Sequence, residues 1–135
     1  MPTLSLGDTV TRTQIITDEI IRNFAMLTGD TNPVHLDDTY AATTRFGRRI
    51  AHGMIAAGLV SAALANDLPG PGTVYLSQTL NFKAPVYPAD TITATIEVKS
   101  LHASKPIATL ITTCSNQDGI IVLEGEAVVL YERTG

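Results

Sequence analysis

Residues 53–66 read GMIAAGLVSAALAN and are the most informative segment for the architecture of this chain. Alanine, leucine and methionine favour a helix, and the segment is apolar on nearly every side. A helix without a polar stripe has to be enclosed by the rest of the chain, so we expect a central, buried helix. A sheet with helices merely laid on one face would predict a polar stripe along residues 53–66, and none is present.

The segments that follow this helix have the alternation of β-strands with one buried face. Apolar residues alternate with polar ones in two segments, 74–82 (Val74, Leu76, Leu80 and Phe82) and 91–98 (Ile92, Ala94, Ile96 and Val98). Residues 107–114 and 120–131 are also rich in β-forming residues. Four successive strands with short connections predict an antiparallel meander. A curved antiparallel sheet wrapped around one long apolar helix is the hotdog fold, and we expect this α+β architecture.

The residues before the apolar helix predict a strand and two further helices. Residues 9–16 are β-rich, and Thr17 precedes two acidic residues as an N-cap precedes a first helical turn. Apolar residues then recur at helical spacing until Gly29 ends the run. The aspartates at 37–38 are placed to cap a short helix that reaches Phe46.

Length and composition favour a single globular domain over residues 1–135. Hydrophobic residues make up 44% of the chain and charged ones 16%, which leaves ample apolar material for a core. The net charge is −4 and the nine Lys and Arg residues share no face, so we expect no nucleic-acid partner. Cys114 is the only cysteine and lies in an apolar run, which predicts a buried, inert thiol.

We expect neither a targeting segment nor a membrane partner. The first ten residues, MPTLSLGDTV, lack a basic region followed by an apolar one. The most apolar stretch, residues 54–65, is much shorter than the ~20 residues that span a bilayer. A single cysteine also fits a reducing compartment, and we therefore predict a cytoplasmic protein.

Residues 29–35, GDTNPVH, gather an acid, an amide and an imidazole in one loop. Near neutral pH an aspartate is an anion and a histidine is mostly neutral, so Asp30 and His35 can both accept hydrogen bonds from one water molecule. Asn32 can orient that water or one of the two side chains. Such a pair can take a proton from water and return one to another atom, as a general base and acid.

Two other interpretations of this loop remain open. Aspartate, asparagine and proline are typical turn residues, so the segment can be a turn and nothing more. The D-x-N-x-x-H spacing also suggests a metal site, but no further cluster of Cys, His or Glu completes one. We expect no metal and no cofactor.

Gly53 opens the apolar helix, where backbone N–H groups lack partners and the helix dipole favours negative charge. Because glycine has no Cβ, a substrate oxygen can approach the amide closely, which makes an oxyanion hole a credible interpretation. The alternative is that Gly53 only begins the helix. His52 is interpreted as a packing or solvent-facing residue without a role, and His102 as a solvated turn residue.

Two more residues of the helix are candidates for substrate contact. Ser61 and Leu64 lie at helical spacing from Gly53, roughly on one face, so Ser61 can touch a polar group and Leu64 an apolar tail. Both can equally be plain core positions. A Ser–His–Asp hydrolase is not favoured, because Ser61 lies in mid-helix and not at a strand-to-helix turn.

The cluster Arg45, Arg48 and Arg49 precedes the helix. These side chains can meet the phosphates of a large substrate, or they can form a solvated basic face.

Taken together, these motifs resemble a known family. The pattern Phe24-x-x-Leu27-Thr28-Gly29-Asp30-x-Asn32-Pro33-Val34-His35, then five residues and Ala41, is similar to the signature of the (R)-specific enoyl-CoA hydratases, or hydratase 2. The stretches 46–54, 71–75 and 81–86 resemble the wider MaoC-like hotdog family. One departure is Pro88-Ala89-Asp90, where many relatives have glycine before the aspartate.

The resemblance implies a homodimer that adds water to a trans-2-enoyl-CoA and yields an (R)-3-hydroxyacyl-CoA. It implies that Asp30 and His35 are the catalytic pair, that Asn32 supports them and that the Gly53 amide binds the thioester oxygen. Two alternatives remain, a hotdog acyl-CoA thioesterase and a non-catalytic acyl-binding domain. Thioesterases of this fold generally carry an acid on the long helix, and residues 53–65 contain none.

Overall fold

The computed structural model describes residues 4–132. In chain order the elements are β1 (Thr9–Ile15), α1 (Asp18–Thr28), α2 (Pro33–Leu36), α3 (Asp38–Ala42), α4 (Gly53–Asn66), β2 (Val74–Gln78), β3 (Asn81–Phe82), β4 (Thr91–Leu101), β5 (Ile107–Ser115) and β6 (Ile121–Leu130). The strands form one antiparallel sheet in the order β1-β4-β5-β6-β2, and β3 also pairs with β6.

The apolar helix α4 packs against this sheet, mainly on β4 and β1. Its bounds are those that the sequence predicted. The facing side chains of β4 are fully buried, with Ile92, Ala94 and Ile96 at 0% exposure. The alternation in residues 91–98 therefore marks the inner face of the sheet, as predicted.

The helix is enclosed on one side only. Met54 is 51% exposed, and Gly58 and Ala65 are also exposed along the same stripe of α4. The expectation that the rest of this chain covers the whole helix is therefore wrong. An apolar stripe lies open on the face of α4 that turns away from the sheet.

The prediction of one buried-face strand over residues 74–82 is also wrong. The segment is divided into β2 and β3, and the pairing of β2 with β6 shifts register between Tyr75 and Ser77. Three of the four apolar residues expected to be buried are more than half exposed, namely Val74, Leu76 and Phe82. Because β2 lies at an edge of the sheet, its side chains find no neighbouring strand on one side.

The predicted meander is present in β4, β5 and β6, but the strands β2 and β3 that precede them do not pair with β4. β1 pairs with β4 along seven residues, from Thr9↔Glu97 to Ile15↔Thr91. That edge of β4 is therefore occupied, and β2 and β3 pair with β6 at the opposite side of the sheet.

The helices before α4 follow their capping signals. Thr17 caps α1 and accepts a hydrogen bond from the Ile20 amide at 3.1 Å, and Gly29 ends the helix at φ 78°. Asp37 caps α3, but the helix ends at Ala42 and not at Phe46. The turn at Pro33–Leu36 is helical, which the sequence did not predict.

No helix among residues 4–132 is both long enough and apolar enough to cross a bilayer.

Candidate active site

The segment between α1 and α3 carries Asp30 before, and His35 after, the N-cap residue of α2. Asn32 caps the short helix α2, since its side-chain oxygen accepts a hydrogen bond from the Val34 amide at 3.1 Å. The Asp30 carboxylate accepts a longer hydrogen bond, of 3.4 Å, from the backbone N–H of Asn32. The loop is thus a well-formed turn, as one interpretation expected, and the same turn holds both candidate side chains.

His35 lies on α2 and is only 9% exposed. Its Nδ1 lies 2.8 Å from the Ile50 carbonyl oxygen. A carbonyl oxygen only accepts, so Nδ1 carries the proton and Nε2 keeps a free lone pair. Burial lowers the pKa of His35 from its ordinary value of 6.5, and His52 lowers it further, while the Ile50 hydrogen bond and Asp30 oppose the shift. The ring is therefore a neutral proton acceptor near pH 7.

Asp30, His35 and His52 converge on one point. One nitrogen or carboxylate oxygen from each of the three lies within 4.8 Å of the others. A water molecule that makes two hydrogen bonds of about 2.8 Å spans such a gap. Asp30 is exposed at this point and His52 is buried. The arrangement fits one water molecule held between the carboxylate and the imidazole.

Gly53 begins α4 beside this cluster. The N-cap residue is His52, and its side chain makes no capping hydrogen bond. The amides of the first turn have no partner inside a helix, so the Gly53 N–H is not paired within α4. A Cβ at position 53 would lie 2.7 Å from Cε1 of Phe82, which is far inside van der Waals contact. An alanine here would therefore displace the exposed ring of Phe82.

An apolar cavity of about 580 Å³ opens at Gly53. Met54, Phe82, Val122 and Leu123 are among its lining residues. This volume lies within the usual range of ~300–1,000 Å³ for sites that bind small molecules. A hydrophobic ligand in this cavity would contact Gly53, whereas Asp30 and His35 are not among the residues that line it.

The other two helix candidates lie away from this cavity lining. Leu64 is 1% exposed and belongs to the core, and Ser61 is half-buried on α4. Neither is among the residues that line the cavity. Their contact with substrate stays a prediction.

The three arginines have different surroundings. Arg49 forms ion pairs with Asp18 at 2.6 Å and Asp38 at 2.7 Å, and its side chain is 13% exposed. Arg48 lies over the ring of Tyr87, 3.8 Å from the centroid. Arg45 lines the cavity. Only Arg45 is therefore placed at the cavity itself.

His52 was missed by sequence reasoning. It is 3% exposed and stacks on the His35 ring, with centroids 3.9 Å apart, so the packing interpretation is right and the solvent-facing one is wrong. The local signal was its position directly before the glycine that opens α4. His102, in contrast, is exposed, and its Nδ1 accepts from the amides of Ser104 and Lys105 in a turn.

Cys114 is fully buried, and burial raises the pKa of its thiol to about 12. The prediction of a buried thiol is confirmed, and so high a pKa leaves almost no reactive thiolate near pH 7.

This chain is similar to known proteins over most of its length. A family model for the MaoC like domain matches residues 4–118. An (R)-specific enoyl-CoA hydratase of Rhodospirillum rubrum is 46% identical over 129 residues, which is 96% of this chain and 89% of that protein. An (R)-specific enoyl-CoA hydratase of Aeromonas caviae is 52% identical over 106 residues, 78% of this chain and 79% of that protein.

Solved structures give the same result for the fold. The (R)-hydratase from A. caviae involved in PHA biosynthesis superposes with a TM-score of 0.94 at 43% identity, over 98% of this chain and 100% of that one. The expected α+β hotdog fold is thereby confirmed. With a family match over most of its length and relatives of this identity, the chain belongs to the MaoC-like dehydratase family.

Proposed function

We propose that the protein is an (R)-specific enoyl-CoA hydratase, which adds water across the double bond of a trans-2-enoyl-CoA. The observation that carries the proposal is the approach of Asp30 and His35 to within 4.8 Å, beside an apolar cavity that reaches Gly53. The names of the relatives above support the same reaction. The chain acts as one MaoC-like domain over residues 1–135.

In this reaction Asp30 and His35 share one water molecule. They take a proton from the water as its oxygen attacks the β-carbon, and a proton is returned to the α-carbon. With the two groups acting from one side of the substrate, the hydroxyl and the hydrogen would add to the same face, which is syn addition. The free Nε2 lone pair and the lowered pKa of His35 suit it to accept a proton near neutral pH. Asn32 supports the pair through the cap of α2.

Negative charge develops on the thioester oxygen during the attack, and the Gly53 amide stabilises it. A donor of this kind typically contributes about 10²–10³ in rate. The apolar cavity takes the acyl group, and Ser61 and Leu64 of α4 stay candidates for contact with it. Arg45 and Lys83 lie at the same cavity and suit the phosphates of coenzyme A.

The working unit is a homodimer. The open stripe of α4 and the exposed side chains of β2 and β3 form an apolar surface that a single chain leaves in water. Apolar surfaces of this kind are typical of subunit interfaces. Light scattering tests the dimer: Gly58→Arg introduces a charge into the stripe and should give monomers. Asn23→Arg, at an exposed polar position of α1, is the control and should leave the mass unchanged.

The protein is expected to act in the cytoplasm, without nucleic-acid or membrane partners. A single, buried cysteine fits a reducing compartment, and the nine Lys and Arg residues form no concentrated basic run in the sequence. Localisation of a fluorescent fusion tests this part independently of activity.

One assay tests the reaction against its alternatives. Crotonyl-CoA is mixed with the protein, and the loss of conjugated enoyl absorbance is followed together with the release of free thiol. Hydration removes the absorbance without thiol, a thioesterase releases thiol, and an acyl-binding domain does neither. Because Cys114 is buried, it does not react with the thiol reagent in the folded protein.

Two further measurements sharpen the assignment. Coupling to an (R)- or (S)-selective 3-hydroxyacyl-CoA dehydrogenase identifies the product, and an (S) product contradicts the proposal. Asp30→Asn removes the charge with little change in size and should lower kcat by about 10²–10⁴. The same activity in Asp30→Asn and in the unchanged protein would exclude the carboxylate from the reaction.

A further inference from the structure

His52 contacts both members of the proposed catalytic pair and adjoins the amide that completes the site. It is the N-cap of α4, directly before Gly53, and it is 3% exposed. The residue before it is also held, since the Ala51 amide donates to the Val86 carbonyl at 2.7 Å. The segment that presents His52 is therefore anchored to the body of the protein.

The first contact joins His52 to the loop that carries Asp30. Nε2 of His52 lies 3.0 Å from the main-chain carbonyl oxygen of Asp30. Because a carbonyl oxygen only accepts hydrogen bonds, Nε2 of His52 carries a proton and is the donor of this hydrogen bond. This hydrogen bond holds the backbone of the acidic residue from a position 22 residues later in the chain.

The second contact joins His52 to the base. The rings of His35 and His52 stack with centroids 3.9 Å apart and an interplanar angle of 28°. The Phe24 ring also packs on His52, at 4.8 Å. His35 is held at its edge by the Ile50 carbonyl and on its face by His52. Two residues of the segment 50–52 therefore fix the orientation of the imidazole.

The same contacts argue against a direct chemical role for His52. Its Nε2 already donates to Asp30, and its Nδ1 is buried and has no hydrogen-bond partner among the described residues. Neither nitrogen is free to meet substrate. A metal ion held by Asp30, His35 and His52 would have to break the Nε2 hydrogen bond or reach the buried Nδ1. What remains for His52 is to hold other groups in place.

We propose that His52 is a positioning residue, which fixes Asp30 through its main-chain carbonyl and His35 through ring stacking, so that both keep one geometry relative to the Gly53 amide. This inference rests on the proposed hydratase function. It goes beyond the pair itself, because it makes four consecutive residues, 50–53, the common support of acid, base and oxyanion donor.

The stack also acts on the protonation of His35. The groups around its ring are Asp30 from the loop and His52 from the start of α4, while Arg49 donates to the His35 backbone oxygen at 3.2 Å. Burial and His52 lower the pKa of His35, and Asp30 opposes them. Removal of the His52 ring should therefore move the acid limb of the activity profile to higher pH.

Two substitutions separate the contacts. His52→Phe keeps an aromatic ring for the stack but cannot donate to Asp30. His52→Gln keeps an N–H donor near the position of Nε2 but removes the ring. His102→Gln is the matched control, since His102 is exposed in a turn.

With crotonyl-CoA, we expect His52→Phe to lower kcat by about 10²-fold, as small misplacements of reacting groups do. KM should change little, because the cavity is untouched. His52→Gln should recover part of the kcat, and its acid limb should shift to higher pH, while His102→Gln behaves like the unchanged protein. Full kcat in both His52 variants, or a loss of thermal stability without any change in kcat, would overturn the inference.

A readout without activity keeps the two proposals apart. The chain has only three histidines, so ¹⁵N–¹H spectra of the rings can be assigned from the single variants. We expect His52 in the Nε2–H form and a higher titration midpoint for His35 in His52→Gln. An unchanged His35 midpoint together with the opposite tautomer would overturn the contacts described above. If both expected spectral results are obtained but the unchanged protein does not hydrate crotonyl-CoA, the proposed function fails while the His52 geometry stands.

Discussion

Removal of the cap on α2 is expected to slow hydration through His35. Asn32→Ala deletes the oxygen that accepts the Val34 N–H at 3.1 Å. The helix has four residues, which is far too few for a helix to be stable by itself. Its geometry therefore depends on the cap and on tertiary contacts, and His35 is on its last turn.

The size of the effect follows from the energy of the cap. Loss of an N-cap side chain costs about 0.5–2 kcal/mol. If that cost falls on the local order of α2, the fraction of molecules with His35 in place decreases by about 2- to 30-fold, since 1.36 kcal/mol is a factor of ten. kcat with crotonyl-CoA should decrease by the same factor, with little change in KM.

Asn32→Ser is the control, because serine is also a good N-cap. It should keep kcat within about threefold of the unchanged protein on the same energetic reasoning. Thermal melting of both variants shows whether the whole fold is affected. Equal losses in Asn32→Ser and Asn32→Ala would refute the capping argument and indicate that the Asn32 amide group acts on the water itself.

Three other outcomes are expected. Since burial lowers the pKa of His35 below 6.5, the base stays neutral to lower pH, so kcat/KM should fall only as pH drops below that value; a pH–rate profile with an acid limb above 6.5 contradicts this. Gly125→Ala should lower the free energy of unfolding by about 1–3 kcal/mol in urea titrations, because a Cβ there overlaps the Thr79 carbonyl oxygen. Ala89 has φ 76°, so Ala89→Gly should raise the urea midpoint by the equivalent of roughly 1 kcal/mol, and a lower midpoint would show that the turn is not strained.

Local patterns predicted those parts of the fold that depend on neighbouring residues. Residues 53–66 form α4 with the predicted bounds, because composition alone favours a helix and the flanking segments do not continue it. Thr17 caps α1 for a similarly local reason. Ala89 has a positive φ, a backbone conformation that glycine adopts without strain, and this agrees with the glycine that the family resemblance implies at this position.

Pairing between distant strands was not predictable in the same way. The alternation in residues 74–82 shows a strand but not which edge of the sheet it occupies. That edge is decided by β1, which pairs with β4. The exposed apolar side chains of β2 and β3 have the pattern of a buried face because, in the proposed dimer, a second chain covers them.

The candidate site also contains residues that are close in sequence and one, His52, that only the fold brings near them. Asp30, Asn32 and His35 lie within six consecutive positions, so the sequence presented them as candidates for a shared role, beside the interpretation of the loop as a plain turn. His52 is 17 residues beyond His35, and only the folded chain brings its ring to 3.9 Å from the other imidazole. Its position directly before Gly53 was a local signal, but its sequence neighbours do not show that the ring is buried against His35.

The arginines before α4 are close in sequence but make different contacts. Arg49 donates to Asp18 of α1, to Asp38 of α3 and to the His35 backbone oxygen on α2. Arg49 is the larger cause, with Arg22, of a pKa of Asp18 below its ordinary value. One guanidinium therefore ties together the three helices that surround the loop of Asp30, whereas Arg45 is left at the cavity. The charge of Arg49 thus holds the three helices around the site in place. The charge of Arg45 is available, as proposed, for contact with the substrate.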